Sequence, residues 1–304
     1  MPTQNMAFQV RAVVRYFFSG LLMGAADVIP GVSGGTMALV VGIYEKLVEA
    51  IHQVFQAVVV LLRGRGPEAL RAFRAIPWTF LLPLIGGIAT AILSAASLIL
   101  HLLAHYPVHL RGLFFGLIAG SLVLPWLRLR RRSWREMLFA LLGAITAFIL
   151  VGLPPRVVPD PALWQVFGAA AIAICAMILP GISGAFLLLV LGFYEPTLLA
   201  LTQRNWPYLL AFVAGMATGL GLFVRLLRYL LHHWHDATMA VLVGLMAGSL
   251  RAIWPWLDDK RQLLLPTAAD PIVSVVLLAL AGLAFVGVLS RWELRRRQTS
   301  SALL

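Results

Sequence analysis

Pro30-Gly31-Val32-Ser33-Gly34-Gly35-Thr36 leads through an apolar run to Gly42-Ile43-Tyr44-Glu45. At an offset of 150 residues the chain repeats itself as Pro180-Gly181-Ile182-Ser183-Gly184-Ala185-Phe186, ending at Gly192-Phe193-Tyr194-Glu195. A Pro-Gly pair breaks a helix, because proline lacks the N–H and glycine loses most freedom on being ordered. Both phrases nevertheless sit inside strongly hydrophobic sequence. Interrupted apolar segments at matching positions of two halves point to a binding site in membrane carriers.

The surrounding composition fixes the solvent. Hydrophobic residues form 61% of the 304 and charged residues 12%, where soluble domains carry roughly 25% charge. Several apolar runs reach or approach the ~20 residues that a membrane-spanning helix needs. The chain therefore reads as an all-α polytopic membrane protein in contact with membrane lipids. Its net charge of +12 does not call for a nucleic-acid partner, since the basic clusters flank hydrophobic spans as membrane topology demands. The lone cysteine, Cys175, excludes a disulfide framework and a cysteine-based metal site, and no cofactor is expected. Arg11 and Arg15 precede an apolar run without a small-residue cleavage site, so no signal peptide is expected.

The duplication extends past the opening phrase. Leu81 to Leu122 aligns without gaps onto Leu209 to Leu250, at an offset of 128. Gly87, Ala89 and Thr90 match Gly215, Ala217 and Thr218, and Ala119-Gly120-Ser121-Leu122 matches Ala247-Gly248-Ser249-Leu250. The expected organisation is one fused transport unit of two repeats, 1–153 and 154–304. The first holds a broken element at about 16–44, an amphipathic insertion at 47–75 and spans at about 76–103, 110–126 and 137–153. The second holds a broken element at about 164–195 and spans at about 208–231, 238–256 and 272–290.

The basic residues decide how these elements cross. If each broken element is a re-entrant helical hairpin, every half makes three crossings and the halves are inverted. One side then collects 18 of the 24 Lys and Arg residues, including Arg11, Arg15, Lys46, the arginines of 63–74 and 128–135, and the C-terminal tail. By the positive-inside rule that side is cytoplasmic and holds both termini. Fully crossing elements would instead place either the 128–135 cluster or the tail outside. Gly34 to Tyr44, 11 residues, would make about 16 Å of helix, half of a ~30 Å hydrocarbon core. Non-helical backbone at such depth must face protein or a water-filled cavity.

After each Pro-Gly the half-helix is expected to restart at Ser33 or Ser183, both good N-caps. The flanking glycines let a ligand reach the backbone N–H groups, and two facing helix N-termini make an anion site suited to phosphate. Gly31, Ser33, Gly34, Gly35, Thr36, Gly181, Ser183 and Gly184 are the candidate phosphate ligands. Neither tip carries Lys or Arg. Asp27 lies three residues before Pro30, where the second half has Met177. It either carries a proton or cation or accepts hydrogen bonds from backbone N–H groups freed at the break. Glu45 and Glu195 are read as closing the half-helices, where the dipole disfavours a carboxylate, and are candidates for coupling or gating alongside solvated interfacial positions. His105 and His233 match between repeats and read as interfacial histidines.

Gly24-Ala25-Ala26-Asp27-Val28-Ile29 running into the first phrase, and Met177-Ile178-Leu179 running into the second, resemble the two signatures of the bacterial polyprenyl-phosphate transporter family. The resemblance covers nearly the whole chain. It implies translocation of undecaprenyl phosphate, the carrier lipid of cell-wall synthesis, from the outer to the inner leaflet of the bacterial plasma membrane, without catalysis. Ala185, in place of the first phrase's Gly35, is a departure that predicts a less close approach at the second tip. Two other readings stay open. A small-anion carrier would use the same tips. A membrane-embedded undecaprenyl-pyrophosphate phosphatase also has duplicated Pro-Gly-x-Ser segments, but there arginine follows the serine, where this chain has Gly34 and Gly184. Glu45 and Glu49 have the Glu-x-x-x-Glu spacing with which such an enzyme could hold a metal. Energy coupling and homo-oligomerisation are not set by the sequence.

Overall fold

The computed structural model describes the chain apart from residues 1, 28–32, 128, 259–260 and 302–304. Side chains at 2–9, 95–100, 103–104, 124 and 289–301 are likewise not described. Helices follow one another as α1 (Pro2–Asp27), α2 (Gly34–Val40), α3 (Tyr44–Leu62), α4 (Gly66–Ala75), α5 (Trp78–His105), α6 (Pro107–Ser121), α7 (Val123–Leu127) and α8 (Trp134–Val151). The second half continues as α9 (Leu163–Ile178), α10 (Gly184–Leu191), α11 (Tyr194–Thr202), α12 (Trp206–His233), α13 (His235–Ser249), a 3-10 turn (Leu250–Ile253) and α14 (Ile272–Ser301). Among the described residues four segments are long and apolar enough to cross a membrane alone: Pro107–Leu127, Trp134–Val151, Trp206–His233 and His235–Ile253. A further two are helix pairs bent by 70° (α4 with α5) and 102° (α10 with α11). The chain is a polytopic all-helical membrane protein.

In each broken element the short helix packs against the helix before it, α2 on α1 and α10 on α9. At the first, the Gly34 N–H donates to Asp27 at the end of α1, while Arg15, three turns earlier, donates to the Val41 carbonyl past the end of α2. At the second, Gly184 begins α10 against Ala173 and Met177 of α9, and Leu188 and Phe193 join Val166 and Ala169 in one apolar cluster. Serine caps α2 and α10 as expected: Ser33 accepts from the Gly35 N–H and Ser183 from the Phe186 N–H. Both half-helices are shorter than expected. They stop at Val40 and Leu191, because Gly42 and Gly192 take positive φ values of 77° and 89°, a conformation that closes a helix and that glycine alone adopts freely.

Small residues set the long-range pairings, as expected where lipid supplies no hydrophobic drive between helices. Gly20 and Gly24 of α1 lie on Leu84 and Ile88 of α5, and Gly215 and Gly219 of α12 lie on Phe167 and Ala171 of α9. The remaining spans pair across the chain's midpoint: α6 packs on α14 and α8 on α13. The contacts match position for position. A Cβ on Gly116 would lie 1.8 Å from the Ala279 carbonyl oxygen, and one on Gly244 would lie 2.0 Å from that of Ala140. Outside these seams the spans expose apolar side chains; α8 presents Met137, Leu141, Ile145 and Phe148 at helical spacing.

The insertion forms α3 and α4. Its first helix lies against α12, where Phe55 occupies the space a side chain on Gly221 would fill and Glu49 meets Arg228 at 2.6 Å. The principal core joins Leu39, Tyr44 and Phe80 to Ile178, Leu242 and Met246 of the second half.

Candidate functional site

The two hairpin tips touch. The Gly181 N–H donates to Thr36 Oγ1 at 2.8 Å, and the Tyr44 hydroxyl donates to the Ile178 carbonyl at 3.2 Å. Thr36 is 0% and Ser33 3% exposed, so the contact is dry. Gly35 makes the close approach possible: a Cβ there would lie 2.9 Å from the Ile178 carbonyl oxygen. Ala185 is exposed and faces no such neighbour, which accounts for its tolerance at the second tip.

Of the sequence-derived ligands, Gly35, Thr36 and Gly181 converge across the tips, with Gly34 one residue and Ser33 two residues before Gly35. Ser183 and Gly184 look back along their own hairpin, Gly184 against the Ala173 carbonyl. Gly31 lies outside the described residues. Four described backbone donors at the tips hold internal acceptors, the Gly181 N–H on Thr36 among them. Asp27 Oδ1 takes the Gly34 N–H at 2.6 Å, Ser33 Oγ the Gly35 N–H at 3.2 Å, and Ser183 Oγ the Phe186 N–H at 3.4 Å. Of the two roles weighed for Asp27, accepting a freed backbone N–H is the one that the geometry displays. Its carboxyl group sits at the N-terminus of α2, where the helix dipole favours negative charge.

Glu45 and Glu195 need correction. They do not close the half-helices; they lie in the first turns of α3 and α11, where the dipole favours a carboxylate. The reason is the glycine break, which lies two residues before each Tyr-Glu pair and ends α2 at Val40 and α10 at Leu191. Glu45 lies 3.4 Å from His235 Nε2, whereas Glu49 pairs with Arg228. The two glutamates thus turn to different partners. Glu195 is exposed. Among the described residues no three His, Cys, Asp or Glu side chains converge as a metal site. His105 and His233 are exposed and make the same bond, each to the carbonyl four residues earlier.

Tyr44 is the residue the sequence reading missed. It was visible as part of the repeated Gly-x-Tyr-Glu, yet its partner Tyr194 is exposed while Tyr44 is buried and bridges the tips. Only the tertiary contact distinguishes them.

Residues 23–268, which include both tips, match the undecaprenyl phosphate translocase-like (VCA0040-like) family. The chain belongs to this family. A polyprenyl-phosphate transporter of Vibrio cholerae serotype O1 is 41% identical over 240 residues, covering 79% of this chain and 77% of the relative. A polyprenyl-phosphate transporter of Staphylococcus aureus is 31% identical over 261 residues, covering 79% and 86%. No solved structure matches the chain. Membership agrees with the family that the two signature phrases pointed to.

Proposed function

We propose that this protein translocates undecaprenyl phosphate across the bacterial plasma membrane, returning the carrier lipid for cell-wall synthesis, and that the phosphate is held between the two hairpin tips. The observation that carries the reading is the convergence of the tips on the Thr36–Gly181 bond, beside an α2 N-terminus that already holds the Asp27 carboxyl group. The relatives named as polyprenyl-phosphate transporters supply the lipid. In this mechanism an arriving phosphate displaces Asp27 from the Gly34 N–H and parts Thr36 from the Gly181 N–H. Backbone donors and dipoles hold it without a fixed cation, which favours release. A carboxylate leaving as a phosphate arrives also makes Asp27 the candidate proton carrier, with Glu45 and Glu195 placed at the hairpin mouths as gating candidates.

The halves are inverted in this reading, and loop contacts support it. At one end Glu45 meets His235, and the Asp236 carboxylate accepts the backbone N–H groups of Arg130 and Arg131. At the other the Arg156 N–H donates to the Leu189 carbonyl and the Val158 N–H to that of Gly192. The first hairpin therefore opens to the end that carries most of the basic residues, assigned to the cytoplasm, and the second opens to the opposite end.

The test is uptake of labelled undecaprenyl phosphate by proteoliposomes containing the full chain. Gly34→Leu, whose side chain would enter the space of the Asp27 carboxylate, and Ser183→Ala are expected to slow uptake. Parent-like rates in both would remove the tips as the site. Movement of small anions without the lipid would assign the tips to an anion carrier instead. Phosphate release from the pyrophosphate would make the protein an enzyme.

A further inference from the structure

Three arginines gather where the second hairpin opens, and none has a carboxylate partner among the described residues. Arg251, on the 3-10 turn, stands 4.5 Å over the Phe148 ring and donates to the Phe148 carbonyl. Its guanidinium fills the space left by the absent side chain of Gly152, and its Nε is buried without a hydrogen-bond partner. Arg261 donates from Nε to the Val151 carbonyl and stands 4.1 Å over the Phe186 ring. Arg111 comes from the start of α6, one turn before Phe115, which meets Trp254 edge-on beyond the 3-10 turn.

Arg261 lies in the loop between spans. Burial, and then the positive charges of Arg111 and Arg251, lower its pKa from the ordinary value. Its backbone holds a left-handed φ of 62°, uncommon for a residue other than glycine. Asp258, three positions earlier, does not offset the charge; its carboxylate accepts the Gln262 backbone N–H.

The bland explanation is helix capping, since Phe148 and Val151 carry free carbonyls at the end of α8. It leaves most of the arrangement unused. A guanidinium has five N–H donors, and Arg251 and Arg261 each direct one hydrogen bond at α8. A helix C-terminus offers about half a negative charge against three positive ones. Like charges brought together in a half-buried place repel unless an anion joins them. A phosphomonoester, with about −1.5 to −2 charge at neutral pH and three acceptor oxygens, fits the deficit.

The cluster is also confined to one end. By the 128-residue offset Arg111 corresponds to Met239, and Arg251 to Val123. At the opposite end Arg228 is paired with Glu49 of α3. The cluster abuts the second tip, because Phe186 lies in the first turn of α10 with its N–H on Ser183.

We propose that Arg111, Arg251 and Arg261 form a capture site for a phosphomonoester at the mouth of the second hairpin, distinct from the tips. The proposal deepens the transport reading and rests on it for direction: the site loads the headgroup on the face opposite the basic end and hands it to the tip past Phe186.

The test is equilibrium binding to the purified full chain with three probes: undecaprenyl phosphate, undecaprenol and inorganic phosphate. Arg111→Gln comes first, because Arg111 bonds no carbonyl at the end of α8. Arg111→Gln and Arg251→Gln, singly and together, are expected to weaken undecaprenyl phosphate binding, about tenfold in the double variant. Undecaprenol binding stays at the parent level, and Arg111→Lys restores most of the loss. The same arginine dependence for inorganic phosphate would show that the headgroup alone suffices; dependence for the lipid only would show that the tail is needed. Parent-like binding of both phosphates by the double variant overturns the site, as does equal loss of undecaprenol binding, which would signal damage to the fold. Uptake in proteoliposomes separates the two readings. Arginine-dependent binding by a parent that moves no lipid would retain the capture site and refute transport.

Discussion

Replacing Asp27 with asparagine tests whether the carboxylate competes with the ligand or assists it. In the structure Asp27 Oδ1 accepts the Gly34 N–H at 2.6 Å, so the first N–H of α2 is occupied by an internal acceptor. A hydrogen bond to a charged group contributes about 1.5–3 kcal/mol and a neutral one about 0.5–1.5 kcal/mol. Asparagine keeps an acceptor oxygen at the same reach but removes the charge. The internal competitor therefore weakens by about 1–1.5 kcal/mol, which is roughly 5- to 12-fold in an equilibrium constant. Loss of repulsion between carboxylate and phosphate acts in the same direction. Binding of undecaprenyl phosphate to purified Asp27→Asn is therefore expected to tighten by roughly tenfold, with undecaprenol unchanged. Proteoliposome uptake should become slower at saturation, because release now breaks a tighter complex, and should lose its dependence on pH over about pH 6–8. Weaker binding by the asparagine variant would refute the reasoning, since the carboxylate would then be helping to hold the ligand. An unchanged pH profile would remove Asp27 as the proton carrier.

Three further outcomes follow from the geometry. Thr36→Val leaves the buried Gly181 N–H without its acceptor, so a loss of about 1–3 kcal/mol is expected as a lower melting temperature. Thr36→Ser should recover most of it, and a parent-like melting temperature in valine would show that the tips are not held by this bond. Gly116→Ala and Gly244→Ala should each destabilise the protein by about 1–3 kcal/mol through overpacking, and to a similar extent, because their neighbours across the seam correspond; a loss in one variant alone would deny the equivalence of the two seams. Finally, the Thr267 N–H and hydroxyl hold the Asp270 carboxyl below the ordinary carboxylate range. Its contribution to the order of that loop is complete above about pH 3.9, the ordinary value, and is lost as pH falls through the lower folded value. Proteolysis of the 254–271 segment should rise there in the parent, read with an acid-active protease, and be already high at neutral pH in Asp270→Asn, read with a neutral one.

The spans were legible because an apolar run long enough to cross a bilayer has few other uses in a chain this poor in charge. The span read at about 76–103 is α5 at Trp78–His105, and that at about 208–231 is α12 at Trp206–His233. Ser33 and Ser183 were legible as caps because serine before a glycine or alanine pair, after a helix break, has one favourable use. The end of each half-helix was not. Gly42 and Gly192 stand in sequence that suits continued helix equally well, and only their positive φ reveals the stop. That is why Glu45 and Glu195 were placed on the wrong side of a break. The bond from Asp27 to Gly34 was half legible: its proximity to the tip was plain, but its partner depended on a turn. Arg111, Arg251 and Arg261 gave no joint signal, because residues far apart in sequence meet only once α6, the 3-10 turn and the loop have packed.

The pairing of α6 with α14 and of α8 with α13 has a consequence for biosynthesis. When the ribosome has completed residue 151, the glycine-lined sides of α6 and α8 still lack the helices that will cover them. They must wait in the bilayer, against lipid or the insertion machinery, while α9 to α12 are made. Nor does either half contain its own closure, since each supplies the seam that completes the other. A gene cut between α8 and α9 should therefore yield fragments that are degraded when made singly and rescued when made together. By the same logic, a single-repeat ancestor would have needed a second copy of itself to fold.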